Sequence, residues 1–171
     1  MAPTSVCSGQ EHLKDAARFG YLTAWRESEV VGLGWSMVNL AAGTITIPTS
    51  KNGEPRTLPL GGEVTEIIRR REEARLVDRK SGPSVADYVF HKAGRPLGDF
   101  KRAWHSALVK AGLPGVLFHD LRRTTVRNME QKGIPRSTAM KITGHKTEAV
   151  YRRYAIVSSE DMRKALERLS G

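Results

Sequence analysis

Several small groups of side chains in this sequence are of the right type to work on a phosphate. His119 and Arg122 stand in His119-Asp120-Leu121-Arg122. On a helix, positions i and i+3 share a face, about 5–6 Å apart at Cβ. There an arginine offers a planar fork of donors, and a histidine can donate a hydrogen bond or a proton. Arg26 lies in Thr23-Ala24-Trp25-Arg26-Glu27-Ser28-Glu29, among apolar neighbours that cover its stem. A covered guanidinium needs an anion, and Glu29 at i+3 can supply it. Lys51 sits in the turn Lys51-Asn52-Gly53-Glu54. Gly144-His145 is followed, nine residues after the histidine, by Tyr154, and Tyr151 comes one helical turn earlier. One of the two tyrosines belongs to the core. Taken singly, each group has an ordinary reading: a surface pair, a structural Arg26–Glu29 ion pair, a lysine that keeps a turn soluble.

Other chemistries lack their residues. There is no His-Glu-x-x-His, no cysteine pair, and acids are scarce where the histidines are, so no metal site is expected. A nucleophile elbow of Gly-x-Ser-x-Gly form is missing, and so is a Gly-x-x-x-x-Gly-Lys-Ser/Thr phosphate loop. Neither a cofactor nor ATP is indicated.

The charge is unevenly placed. The 171 residues hold 28 Lys and Arg against 18 Asp and Glu, a net charge of +10. Residues 1–91 carry 11 of each sign and residues 155–171 carry 3 of each, whereas residues 92–154 carry 14 basic and 4 acidic side chains. The whole surplus therefore falls in one segment. A concentrated surplus points to a polyanion, with nucleic acid first and an acidic membrane surface second; a solvated basic face is the plain alternative. At 39% apolar and 27% charged residues, the composition is that of a soluble globular protein. No run approaches the roughly 20 apolar residues of a membrane helix, and Met1 to Gln10 has no apolar core of a signal peptide. The single cysteine, Cys7, leaves no internal disulfide, which fits a reducing, cytoplasmic setting.

The elements that must hold these groups can be read from the pattern. Ser8-Gly9-Gln10-Glu11 has capping-box form and starts a helix carrying Leu13, Ala16, Ala17, Phe19 and Tyr21. A short helix follows over Glu27 to Gly32. Thr44 to Ile47 alternates as a strand, and Arg56 to Leu60 returns beyond the Lys51 turn. A charged helix is predicted from Glu63 to Lys80, with Val64, Ile67 and Ile68 inward. Tyr88-Val89-Phe90 reads as a third strand, ending at a Gly94-Arg95-Pro96 turn. Beyond that the chain reads as helical: Asp99 to Ala111, with Phe100, Ala103, Trp104 and Ala107 on one stripe; His119 to Lys132; Pro135 to Thr143; Glu148 to Tyr154; and Ser158 to Leu169. The last shows Met162, Ala165, Leu166 and Leu169 at i, i+3, i+4, i+7. The expectation is one α+β domain over residues 1–171, mainly helical, with a small antiparallel sheet of about three strands and a flexible segment at residues 1–10.

Taken in order, Arg26, Lys51, His119-x-x-Arg122, Gly144-His145 and Tyr154 resemble the catalytic set of the tyrosine recombinases, the phage-integrase family. The resemblance runs from about Leu13 to about Leu169. Thr23 to Glu29 is similar to the family's first box, Thr49-Ser50-Lys51-Asn52-Gly53 to its lysine hairpin, Phe118 to Thr124 to its second box, and Thr143-Gly144-His145 with Tyr151-Arg152-Arg153-Tyr154 to its last. Ala24 departs from the glycine usual there; if the backbone needs a positive φ, alanine costs stability or tilts Arg26.

The resemblance implies the family's catalytic-domain fold and a site-specific recombinase that cleaves and rejoins DNA strands through a 3′-phosphotyrosyl intermediate, without metal or ATP. It makes Tyr154 the nucleophile and Tyr151 the core residue. Arg26 and Arg122 then neutralise the transition state, Lys51 protonates the 5′ oxygen, His119 takes the tyrosine proton or holds the phosphate, and His145 donates to a non-bridging oxygen. Double-stranded DNA becomes the expected partner, with Arg123, Arg127, Lys141, Lys146, Arg152 and Arg153 as candidate flanking contacts. A phage or bacterial mobile element and a nucleoid-associated cytoplasmic location are implied as well. The family's separate N-terminal clamp domain is not expected here, since about ten residues precede the first helix. Met162 to Leu169 either docks on a neighbouring subunit, building a tetramer on DNA, or packs in cis. A non-catalytic DNA-binding module and a type IB topoisomerase-like relaxing enzyme are the competing functions.

Overall fold

The computed structural model describes residues 11–48, 55–79, 82–98, 100–155 and 157–170. Lys51 and the Ser8–Glu11 capping box fall wholly or partly outside these residues. Helix α1 (Glu11–Thr23) buries Leu13, Ala16, Phe19, Gly20 and Thr23 along one stripe. Its end is sealed by the Thr23 hydroxyl, which donates to Phe19 O at 2.8 Å. Helix α2 (Glu27–Val31) follows at once, with Arg26 as its N-cap residue.

A 3-10 turn (Trp35–Met37) leads into three antiparallel strands, β1 (Val38–Asn39), β2 (Thr44–Ile47) and β3 (Arg56–Pro59), in the order β1-β2-β3. Ile45 pairs with Leu58, and Ile47 with Arg56. Ile45, Ile47 and Leu58 are buried, as alternation demands of a half-covered sheet.

The next stretch departs from expectation. Helix α3 (Gly62–Glu73) stops seven residues short of Lys80, and Leu76–Arg79 (β4) pairs instead with Gly82–Val85 (β5). Ala74 caps α3, and the Arg75 amide closes the last turn on Glu72 O at 3.0 Å before the chain runs into β4. Tyr88-Val89-Phe90 is not a strand either. Tyr88 makes one isolated bridge to Gly34, while Val89 and Phe90 enter the core from irregular backbone. The turn that follows is Ala93-Gly94, both at positive φ (50° and 75°), joining β6 (His91–Lys92) to β7 (Arg95–Pro96). The sheet content is thus one three-stranded sheet and two small hairpins among the described residues.

The basic half is helical: α4 (Phe100–Lys110), α5 (Phe118–Gln131), α6 (Arg136–Thr143), α7 (Glu148–Arg152) and α8 (Ser159–Ser170). On α4, Ala103 is exposed, but Phe100 and Trp104 stack on each other and meet Phe118 edge-on, at 5.1 and 5.4 Å between centroids. Phe118 in turn lies against Gly20, where any Cβ would overlap its ring. That close approach seats the first turn of α5 on α1.

Two apolar clusters result. The larger gathers Phe19, Trp25, Ile45, Ile67, Phe90 and Phe118; the smaller gathers Val126, Met129, Ala139 and Tyr151 from α5, α6 and α7. The Trp25 indole donates to Ile142 O at 3.1 Å and ties one to the other. No described helix is long and apolar enough to cross a membrane. The predicted stripe of α8 is exposed, with Met162 54%, Leu166 65% and Leu169 84% open to solvent, so it does not pack in cis.

Candidate active site

The site forms where the two clusters meet. Ala24 begins it with φ 54°, the left-handed backbone that the departure from glycine puts in question. This turn aims Ala24 O at Arg122 Nη1 and sends the chain on into Arg26. A methyl-bearing residue in this region costs about 1 kcal/mol. Ala24→Gly is therefore expected to stabilise the chain by about 0.5–1 kcal/mol, raising the melting temperature by about 1–4 °C. A lower melting temperature in calorimetry would mean that the buried methyl contributes more than its backbone costs.

Arg26 and Glu29 do pair. The Arg26 amide donates to Glu29 Oε2 at 2.9 Å and its Nη1 to Oε1 at 3.0 Å. Glu29 has a second guanidinium as well, Arg56 Nη2 at 3.1 Å. Burial pushes the Glu29 carboxyl up, but the Arg26 amide and the two guanidiniums outweigh it and hold it below the usual carboxylate range. Arg26 keeps 31% of its side chain exposed, so it is anchored without being covered.

Arg56 was not among the expected site residues. Its guanidinium lies 4.8 Å over the Trp25 ring and fills the space beside Gly144, where any Cβ would overlap it. Gly144 caps α6 with φ 71°, so this position suits glycine twice over. A signal for Arg56 existed. On β3 it shares a face with buried Leu58, so an arginine stands where alternation calls for an apolar side chain.

Helix α5 carries His119 and Arg122 on one side of its first turns. Arg122 is buried, at 3% exposure. Its Nη1 donates to Ala24 O and to Thr143 O, the latter at 2.8 Å, and its Nη2 meets His145 Nε2 at 2.9 Å. Burial first, then Arg26 and Arg56, pull this guanidinium down to about 10, which leaves it charged at neutral pH.

His145 is buried on the turn after Gly144, with Nδ1 2.7 Å from the Thr143 hydroxyl. An arginine cannot accept a hydrogen bond, so His145 Nε2 carries the lone pair and Nδ1 the proton. Nε2 therefore faces Arg122. Burial, then Arg122, Arg26, Arg56 and His119, lower its pKa to about 4. The unfolded chain takes up this proton near pH 6.5 and the folded chain only near 4, so stability is full above 6.5 and falls as pH drops through that window. The loss from His145 is on the order of 3 kcal/mol. Thermal melts between pH 7 and pH 4 should show a shallower fall for His145→Asn than for the parent; equal slopes would contradict the burial of a neutral His145.

Tyr154 lies just past α7, which ends two residues before it rather than running through it. The Tyr154 amide donates to Tyr151 O at 2.9 Å, and the turn frees its side chain from the helix. The hydroxyl sits 3.1 Å from His119 Nε2. The ring packs 5.1 Å from His145, and the Arg122 guanidinium lies 5.9 Å from its centre. Burial, then Arg122 and Arg123, lower the pKa of His119 and favour its neutral form. Tyr151 is fully buried among Val126, Met129 and Ala139, and burial first, then Glu130, pushes its hydroxyl up to about 12. Thus Tyr154 meets His119, His145 and Arg122, and Arg122 meets His145; Arg26 stands close enough to lower the pKa of Arg122, His119 and His145, and Tyr151 belongs to the core.

Arg123, Arg127, Lys141, Lys146, Arg152 and Arg153 are all exposed. Arg152 is paired with Glu148 at 3.0 Å. Arg127 lines a cavity of about 290 Å³ between α5 and α8. Among the described residues, no three His, Cys, Asp or Glu side chains gather as a metal ion would need.

The phage integrase family model matches residues 4–161. The chain belongs to the phage integrase family. It is 28% identical over 149 residues to the shufflon-specific DNA recombinase of Escherichia coli, a match that covers 83% of this chain and 35% of that protein. This member of the family thus spans about a third of the length of that relative. The fold is that of the crystal structure of XerA recombinase, with a TM-score of 0.69 at 20% identity over 100% of this chain and 67% of that one. It also matches a lambda integrase dimer bound to a core site, with a TM-score of 0.68 at 22% identity, covering 91% of this chain and 54% of that one.

Proposed function

We propose that this phage-integrase-family chain is the catalytic domain of a site-specific DNA recombinase, with Tyr154 as its nucleophile. One observation carries the reading: the Tyr154 hydroxyl lies against His119, and its ring packs beside the Arg122–His145 pair. In the proposed reaction Tyr154 Oη attacks the phosphorus and its proton passes to neutral His119. The bond from phosphorus to the 5′ oxygen breaks, leaving a 3′-phosphotyrosyl ester. Arg26 and Arg122 stabilise the charge that builds on the non-bridging oxygens. Lys51, in the segment of sequence between β2 and β3, gives a proton to the departing 5′ oxygen. A 5′ hydroxyl from another duplex reverses these steps and rejoins the strands.

Duplex DNA is the proposed partner. The basic surplus of residues 92–154 and the DNA-bound lambda integrase of similar fold support it. The exposed face of α8 is the proposed contact between subunits; the similar lambda integrase forms a tetramer on a Holliday junction. The test is incubation with a nicked duplex bearing the attachment site, followed by denaturing electrophoresis. A covalent protein–DNA band is expected with chelator present and ATP omitted; its absence with bound DNA would leave only a binding module.

Binding itself should be steeply salt-dependent. About six neutralised phosphates release their counterions, so affinity is expected to fall by about 10³-fold between 50 and 200 mM salt. A flat titration, or binding unchanged when Lys146, Arg152 and Arg153 are all made acidic, would show that the basic segment is only a solvated face.

A further inference from the structure

We propose that Thr143 is a positioning residue, whose hydroxyl fixes the proton of His145 on Nδ1 so that Nε2 is left to hold the Arg122 guanidinium. Four groups form one buried line. The Thr143 hydroxyl lies 2.8 Å from Ala139 O and 2.7 Å from His145 Nδ1, and His145 Nε2 lies 2.9 Å from Arg122 Nη2. Thr143, His145 and Arg122 are all buried, so water does not scramble the line.

The direction of every proton in it is set by its two ends. A backbone carbonyl only accepts, so the single Thr143 proton points to Ala139 O. The hydroxyl then offers only lone pairs to His145, and Nδ1 must donate. A guanidinium only donates, so Nε2 must accept. No other assignment satisfies all three contacts. Burial and the surrounding Arg122, Arg26, Arg56 and His119 disfavour a doubly protonated ring, which would set an N–H against Arg122.

The consequence is for Arg122. Its Nη1 is held by Ala24 O and Thr143 O, so residue 143 grips the guanidinium twice, through its carbonyl and, by way of His145, through its hydroxyl. Without that hydroxyl Nδ1–H loses its acceptor and only Arg122 opposes a proton on Nε2, where it would meet an Arg122 N–H and turn the guanidinium from its seat. The catalytic part of this inference rests on the recombinase reading, but the position of the proton does not.

The test is long-range proton–nitrogen NMR of the DNA-free chain with labelled histidine, His145 being assigned among the five histidines by its loss in His145→Asn. The parent and Thr143→Ser are expected to show the Nδ1–H form at neutral pH, and Thr143→Val a shift toward Nε2–H. Thr143→Val should also form the DNA adduct about tenfold more slowly, with Thr143→Ser restoring the rate. An Nε2–H signal in the parent, or an unchanged Nδ1–H signal in folded Thr143→Val, overturns the proposal. The parent spectrum alone decides if the valine variant does not fold. Adduct failure in all chains with the expected spectra would count against the recombinase reading and leave the proton assignment standing.

Discussion

Tyr154→Phe is expected to bind DNA as the parent chain does and to form no covalent adduct at all. The substitution removes one oxygen. The ring contacts with His145 at 5.1 Å and His119 at 5.7 Å remain, so the turn beyond α7 keeps its shape. Binding by the basic surface does not depend on that oxygen and should change by less than about twofold. Tyr151→Phe is the matching control. Its ring stays in the cluster of Val126, Met129 and Ala139, away from His119, and adduct formation should continue. Trapping experiments on both variants check this; an adduct from Tyr154→Phe would remove Tyr154 as the nucleophile.

Arg122→Lys is expected to lower the cleavage rate by several powers of ten. Removing one preorganised donor from an oxyanion site costs about 10²–10³ in rate. Arg122 does more than that. Its fork spans Ala24 O, Thr143 O and His145 Nε2 at once and keeps further N–H groups for a phosphate. An ammonium is a point charge on a flexible stem and cannot hold three fixed acceptors while facing a fourth. The variant also leaves buried acceptors without donors, at about 1–3 kcal/mol each. Rates must therefore be compared at a temperature where melting curves show both chains folded. Full activity of folded Arg122→Lys would mean that charge alone is needed and that the fork geometry is incidental.

How much of this site was readable without coordinates depends on how far apart its contacts lie along the chain. Arg26–Glu29 and His119–Arg122 are three residues apart, and helical spacing alone brings each pair to one side. The helices from α4 to α8 start and stop within about two residues of the positions set by their apolar stripes, prolines and glycines. Tyr154 could be told from Tyr151 only through a family pattern, because their local sequences are equally aromatic and basic; in three dimensions one packs on core residues and the other on two histidines. Arg56 and Thr143 were missed because their meaning comes from remote partners: Glu29 is 27 residues from Arg56, and Arg122 is 21 from Thr143. Strand β4 reads as the end of a helix because its residues are charged enough to suit either state. The pairing of Leu76–Arg79 with Gly82–Val85, invisible to helical spacing, decides between them. Ala24 is the reverse case: a positive φ was suspected from the residue type alone, and the backbone adopts it.

The proposed chemistry requires that one atom, Tyr154 Oη, join the DNA. The most direct measurement is to trap the chain on a nicked attachment-site duplex, digest the adduct with protease and nuclease, and sequence the nucleotide-bearing peptide by mass spectrometry. The modified residue is predicted to be Tyr154, esterified to a 3′ phosphate, with a free 5′ hydroxyl on the released strand. A nucleotide on any other side chain, a 5′ phosphate linkage, or cut DNA with no protein attached would contradict it.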